Sequence, residues 1–181
     1  VNPVFDLEGS VLGMYGRKIT PNLREGTPLH LYLPGPHRGV WNELALQVSK
    51  EIILCESLID ALTFWCAGFR NVTASYGVGG FTADHKDAFV RHGVQRVWIA
   101  YDRDDAGETA ALSLAEELMA MGIECFRVLL GRGLGLALFI TADLRDVHSD
   151  QIGQRLPGKT AGFAKRNQAI VETQFGPSFE V

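Results

Sequence analysis

The sequence predicts an α/β fold: a mostly parallel four-stranded sheet flanked by helices and preceded by a small β-rich subdomain. Three observations predict it. Strand-like and helix-like segments alternate between residues 49 and 130 with connections of a few residues, an order that demands parallel strands with helical crossovers. The runs EIILCE (51–56) and QRVWIAYD (95–102) are apolar almost throughout, as strands buried on both faces are. Residues 1–48 are instead rich in Gly and Pro with short alternating runs.

Taken in order, VLGMYGRKI (11–19) and HLYLPG (30–35) read as strands of the N-terminal piece. EIILCE follows, ending in an acid. SLIDALTFWCAG (57–68) is a helix: Leu58, Leu62 and Trp65 share a face, Ser57 can cap its start and Gly68 can close its end. NVTASYG (71–77) is a second strand that breaks at GVGG (77–80). Thr82 can cap a helix running to about Arg91. QRVWIAYD is a third strand, again ending in an acid. In DAGETAALSLAEELMAMG (105–122), Leu114, Leu118 and Met121 line one helical face, and Gly122 stops it. IECFRVLL (123–130) is the fourth strand. Regularity is lost after that, so the expected parts are 1–48, 49–130 and an irregular or diverged tail, 131–181.

Of the 181 residues, 46 % are apolar and 21 % charged, the balance of a folded globular protein. The most apolar stretch, GLGLALFITA (133–142), is too short to span a membrane. The N-terminus VNPVFDLEGS has neither the basic start nor the apolar core of a signal peptide. It also lacks an initiator Met, so a fragment of a longer protein is expected. A net charge of −4 means that any nucleic-acid affinity must come from locally placed cations or from another domain. Cys55, Cys66 and Cys125 form no zinc or disulfide spacing, which points to a reducing cytoplasm; Cys55 and Cys66 read as small core hydrophobes.

The chemistry concentrates in acids. Ligands of parallel α/β sheets bind beyond the carboxyl ends of the strands, where Glu56 and Asp102 stand. Asp104 follows in YDRDDAG (101–107), and residues i and i+2 of an extended segment point the same way. Carboxylates clustered at a low-dielectric edge raise one another's pKa unless a cation neutralises them, and Mg²⁺ is suited to one or two carboxylates plus phosphates. The competing reading makes each acid a helix cap or loop solubiliser; for Asp105 an N-cap is the nearest role. GVGG is no G-x-G-x-x-G fingerprint and has no Walker lysine, which excludes dinucleotide and P-loop sites. It is a tight turn needing φ > 0, or else a phosphate contact.

With CESLID (55–60), ASYG (74–77) and YDRDDAG (101–107) in place, residues 50–130 resemble a Toprim domain. Among Toprim proteins the DnaG-type bacterial primases, in a phage- or mobile-element-like branch, fit best. Their pattern runs E-G-x-x-D, then A-S-x-G, then Y-D-x-D-x-A-G; Ser57 replaces the usual Gly. The resemblance implies Glu56 as an acid/base or metal-organising carboxylate, and Asp102 and Asp104 as ligands of Mg²⁺ or Mn²⁺. Asp60, one turn after Glu56, would orient it or a metal-bound water, or merely cap and solvate. YGRKI (15–19) resembles the G-R motif of the subdomain before Toprim in these primases, so Arg17 and Lys18 would contact template or nucleotide phosphates. Otherwise they are a solvated pair, and His30, His37 and Arg38 are surface residues. HLYLPGPHRGVWN (30–42) matches the family's next segment only loosely.

The resemblance thus implies a nucleotidyltransferase making short RNA primers on single-stranded DNA from ribonucleoside triphosphates. Its expected associates are a replicative helicase or an upstream zinc-binding domain, with no membrane. Two rivals stay open: phosphodiester cleavage of the nuclease or topoisomerase kind, and a catalytically silent nucleic-acid-binding module. The last draws support from a departure. Primases carry a P-x-G-x-D-x-N/D segment after the fourth strand, whereas this chain reads LLGRGLGLALFITADLRD (129–146), with Asp143 and Asp146 only later.

Overall fold

Two sheets carry the residues that the computed structural model describes, 1–129 and 140–143. The first is antiparallel, in the order β1 (Asn2–Phe5), β2 (Val11–Arg17), β3 (His30–Tyr32). β1 was not expected from the sequence; its four residues pair with β2 through Asn2↔Tyr15 to Val4↔Gly13, then shift register at Phe5.

The second sheet is built by α1 (Glu43–Val48), β4 (Glu51–Cys55), α2 (Leu58–Cys66), β5 (Val72–Ala74), α3 (Ala83–His92), β6 (Arg96–Ala100), α4 (Asp105–Ala120), β7 (Glu124–Leu129) and β8 (Ile140–Asp143). Its order is β5-β4-β6-β7-β8, with the first four strands parallel and β8 antiparallel to β7. The expected four parallel strands are therefore all present. β4 lies between β5 and β6, so the chain runs outward from β4 to β5, then crosses back to β6. That reversal opens a crevice at the carboxyl ends of β4 and β6, the usual ligand position in such sheets.

Alternation along β4 divides the core in two. Ile52 and Leu54 face α1, α3 and α4, packing with Leu46, Phe89, Val97, Ile99, Leu114 and Leu118. Ile53 and Cys55 face α2 and the small sheet, packing with Leu58, Ala61, Phe64, Val4 and Tyr15. The small sheet is thus docked through Val4 and Tyr15, which are 1 % and 2 % exposed. α1, which has no clear sequence signature, joins the α/β core; its Glu43 accepts from His92 Nε2 (2.9 Å) and Arg91 Nη1 (3.1 Å) of α3.

Several expectations need correction. The buried stripe of α2 is Leu58, Ala61 and Phe64, while Leu62 and Trp65 are only half-buried. Trp65 instead meets Trp41 edge-on and lies under the Arg70 guanidinium. Cys66 is exposed and no core hydrophobe, unlike Cys55 and Cys125. Ser57 stands at the N-cap but makes no side-chain cap bond, because its hydroxyl donates to Asp60 Oδ2. β8 continues the sheet where no strand was expected. Its pairing of Phe126 with Asp143 and Leu129 with Ile140 carries the backbone of Asp143 away from the carboxyl edge. Asp146 and almost all of the 131–181 tail lie outside the described residues. No described helix is long and apolar enough to cross a membrane.

Candidate active site

Adjacent parallel strands bring the first two acids together. Cys55 of β4 pairs with Ala100 of β6, so Glu56 and the segment Tyr101–Asp102 leave the sheet side by side. Glu56 Oε2 accepts from the Asp102 backbone N–H at 3.3 Å. The ASYG segment holds the Glu56 backbone from the other flank. Gly77 N–H donates to the Glu56 carbonyl at 2.9 Å, and the buried Ser75 hydroxyl reaches the same oxygen at 3.0 Å. Ser75 is itself paired with the Tyr101 hydroxyl at 2.8 Å, which ties the β5 and β6 ends together. Gly77 (φ +93°) and Gly79 (φ +70°) take the left-handed conformations expected of the GVGG turn.

Asp104, and not Asp105, caps α4: Asp104 Oδ1 accepts from Gly107 N–H at 2.7 Å, and Asp105 is the first helical residue. The stretch from Asp102 to Asp104 is a bend and not an extended segment, so the i, i+2 argument for a shared direction does not describe it. Asp104 keeps one carboxylate oxygen outside the cap. The glycine of YDRDDAG has a packing reason: a Cβ on Gly107 would stand 2.3 Å from the Asp102 carbonyl oxygen.

Below this turn lies Arg127 of β7, 3 % exposed, which sequence reasoning missed. Its guanidinium donates to the Asp102 carbonyl (3.0 Å), the Ile99 carbonyl (3.1 Å) and Glu108 Oε1 (3.0 Å). A buried charge is tolerated when paired and hydrogen-bonded. Here the pairing binds the carboxyl end of β6 to the start of α4. The available signal was an arginine inside the apolar run IECFRVLL.

The electrostatics are those of crowded acids. Partial burial raises the Glu56 pKa first, and the charges of Asp102, Asp104 and Asp60 add to it, against the lowering effect of the Asp102 N–H. Partial burial likewise raises Asp102, helped by Asp60 and Asp104 and opposed by Arg127. Both shifts favour a bound cation. The donors are all carboxylate oxygens, which fits a hard divalent ion held by one or two side chains together with phosphate oxygens. A closed protein cage is absent: among the described residues no group of three His, Cys, Asp or Glu side chains stands ready to hold a metal.

Across the seam lies the small sheet. Asp60's charge contributes to raising the Tyr15 and Tyr32 pKa values, mainly pushed up by burial, Tyr32 to about 12. The face bearing these tyrosines lies against β4 and α2, where Tyr15 and Tyr32 pack with Ile53, Cys55 and Leu58. Arg17 ends β2 and is exposed, with Nη1 2.8 Å from His30 Nε2. Lys18 follows the strand, its N–H donating to the Leu29 carbonyl. His37 stacks on Tyr76 with centroids 4.5 Å apart.

Comparison with known proteins bears on the fold that carries these residues. Residues 53–133 match the Toprim-like family model Toprim_2. The DNA primase of Aquifex aeolicus is 31 % identical over 144 residues, covering 74 % of this chain and 28 % of that protein. The crystal structure of the Aquifex aeolicus primase (zinc-binding and RNA polymerase domains) superposes with a TM-score of 0.59 at 27 % identity, covering 73 % of this chain and 34 % of the other. A DnaG primase catalytic domain bound to single-stranded DNA gives a TM-score of 0.59 at 25 % identity, covering 73 % and 44 %. The chain thus spans little more than a quarter of the length of the Aquifex primase.

Proposed function

We propose that this chain, which carries a Toprim domain and is homologous to DnaG-type DNA primases, contributes the carboxylate half of a primer-synthesising nucleotidyltransferase site. The observation that carries the reading is the bond from the Asp102 N–H to Glu56 at the adjacent ends of β4 and β6, with Asp104 two residues on as the cap of α4. Asp102 and Asp104 would hold Mg²⁺ or Mn²⁺ together with phosphate oxygens, and Glu56 beside them would organise the metal or act as the acid/base. Such an ion, when bound, supplies charge to offset the triphosphate and its departing pyrophosphate.

The remaining work falls to side chains. Glu56 Oε2 is engaged by the Asp102 N–H, leaving Oε1 to take the proton of an attacking 3′-hydroxyl; a raised pKa suits a group that must accept it. Asp60, held by Ser57, adds negative charge that keeps Glu56 basic. Arg17, with Lys18 nearby in sequence, would bind phosphate oxygens opposite the acids. The substrates are then single-stranded DNA and ribonucleoside triphosphates in the cytoplasm. A zinc-binding domain and a replicative helicase are associates that homology to primases brings. The topoisomerase variant draws little support, since its nucleophilic tyrosine needs a free hydroxyl. Those of Tyr15, Tyr76 and Tyr101 are each bonded within the fold, and burial pushes the Tyr32 hydroxyl up to about 12, away from the phenolate a nucleophile needs.

Primer synthesis on single-stranded DNA, run beside Mn²⁺ binding followed by electron paramagnetic resonance, tests the reading. Asp102→Asn is expected to weaken Mn²⁺ binding at least about tenfold and to abolish new product. Consumption of the DNA in place of primer formation favours the nuclease. Absence of Mn²⁺ binding by the unaltered chain refutes both enzymatic readings.

A further inference from the structure

β2 and β3 pair in a register that sets Tyr15 opposite Tyr32 and Arg17 opposite His30. Alternation places all four on one face of the small sheet. His30 is exposed, yet neither ring nitrogen is idle. Nδ1 lies 2.6 Å from the Tyr15 hydroxyl and Nε2 lies 2.8 Å from Arg17 Nη1. A guanidinium can only donate, so Nε2 must be the bare, accepting nitrogen, and the ring proton sits on Nδ1, donated to the Tyr15 oxygen. Tyr15 is 2 % exposed and fixed in the core. Arg17 is therefore not a free surface cation: its head is tied to the buried Tyr15 through the His30 imidazole, and its own charge also acts on the Tyr15 hydroxyl.

We propose that His30 is a positioning residue, which holds the Arg17 guanidinium ready for a phosphate group. The inference rests on the phosphate-binding role of Arg17 in the proposed function. An arginine loses considerable rotamer freedom on binding an anion, and a side chain already held loses less. The phosphate belongs either to an incoming nucleoside triphosphate or to the backbone of the DNA strand, and the two are separable by experiment.

The whole chain is compared with Arg17→Ala, His30→Ala, His30→Gln and the double variant Arg17→Ala/His30→Ala. One arm measures binding of a fluorescent ATP analogue in Mg²⁺; the other measures anisotropy of a labelled single-stranded oligonucleotide. Neither requires turnover. His30→Ala is expected to weaken one of the two about three- to tenfold, the range of one ordered long side chain. His30→Gln should recover much of that loss, because its amide can accept from Arg17 and donate to Tyr15. The double variant should bind no worse than Arg17→Ala, since a positioning residue has nothing left to position. Thermal unfolding of His30→Gln checks that the rescue variant is folded. If Arg17→Ala weakens binding and His30→Ala does not, or if the two losses simply add, the role of His30 is refuted while that of Arg17 stands. If Arg17→Ala changes neither arm, both fall.

Discussion

Gly107→Ala sets two forces against each other, and the structure says which wins. Gly107 is the third residue of α4, where Ala is favoured over Gly by about 1 kcal/mol as a helix former. A Cβ there would meet the Asp102 carbonyl oxygen at 2.3 Å and its carbon at 2.9 Å. Real contacts of this kind do not fall below 3.0 Å, so the turn and the helix must part by at least about 0.7 Å. Neither side gives easily. The Asp102 carbonyl is held by Arg127 Nη2, and Gly107 N–H is held by Asp104 Oδ1. Overpacking of this sort costs about 1–3 kcal/mol, which exceeds the helix gain and leaves a net loss of about 1 kcal/mol. At roughly 4 °C per kcal/mol, the melting temperature falls by only a few degrees. The larger effect is local, because the displaced backbone carries Asp102 and Asp104. A misplacement near 1 Å at a reacting centre costs on the order of a hundredfold in rate. Calorimetry, Mn²⁺ binding and primer synthesis measure the three consequences. A variant that is about 1 kcal/mol more stable than the parent, with unaltered Mn²⁺ affinity, would refute the reasoning, since propensity alone would then have decided the outcome.

Arg127→Met should destabilise the chain by about 3 kcal/mol in urea unfolding, because the buried carbonyl of Ile99 and the part-buried carbonyl of Asp102 lose their donor while half-exposed Glu108 can turn to water. A change below about 1 kcal/mol would mean that these carbonyls are solvated some other way. His85 supplies a pH effect. Burial lowers its pKa below the ordinary 6.5; its Nδ1 accepts from the Thr82 N–H and its Nε2 meets the Ala74 carbonyl, so the folded chain holds it neutral. Below the ordinary pKa the unfolded chain takes up a proton that the folded chain refuses. The contribution of His85 is therefore intact above about pH 6.5 and declines as pH falls toward the folded-state value. His85→Gln should flatten the stability–pH curve in that window, and an unchanged slope would assign it to other groups.

The acids of the site were legible because each closes an apolar run, and Glu56 and Asp102 do stand at the ends of β4 and β6. The pattern could not tell which of Asp104 and Asp105 caps α4. Both are good N-cap residues, one position apart, and the choice depends on where the helix starts after the turn. Periodicity likewise misplaced the buried face of α2. Large apolar residues flank the true stripe of Leu58, Ala61 and Phe64, and the half-buried Trp65 finds its partners in Trp41 and Arg70. β1 and α1 escaped because short elements carry too few residues to establish a period.

The sequence by itself determined the parallel α/β core, the strand ends bearing Glu56 and Asp102, and the motifs ESLID, ASYG and YDRDDAG. These are local patterns, written by the alternation of burial along each segment. Tertiary structure alone decided that β4 and β6 are neighbours, so that Glu56 meets the Asp102 N–H, and that Arg127 of β7 supports the same turn. It also decided that His30 joins Arg17 to Tyr15, and that Gly107 lies against the Asp102 carbonyl. The physical reason is common to the first three. Each depends on the register between separate elements, and register is set only when their buried faces pack together, whereas Gly107 meets Asp102 through the local turn that opens α4.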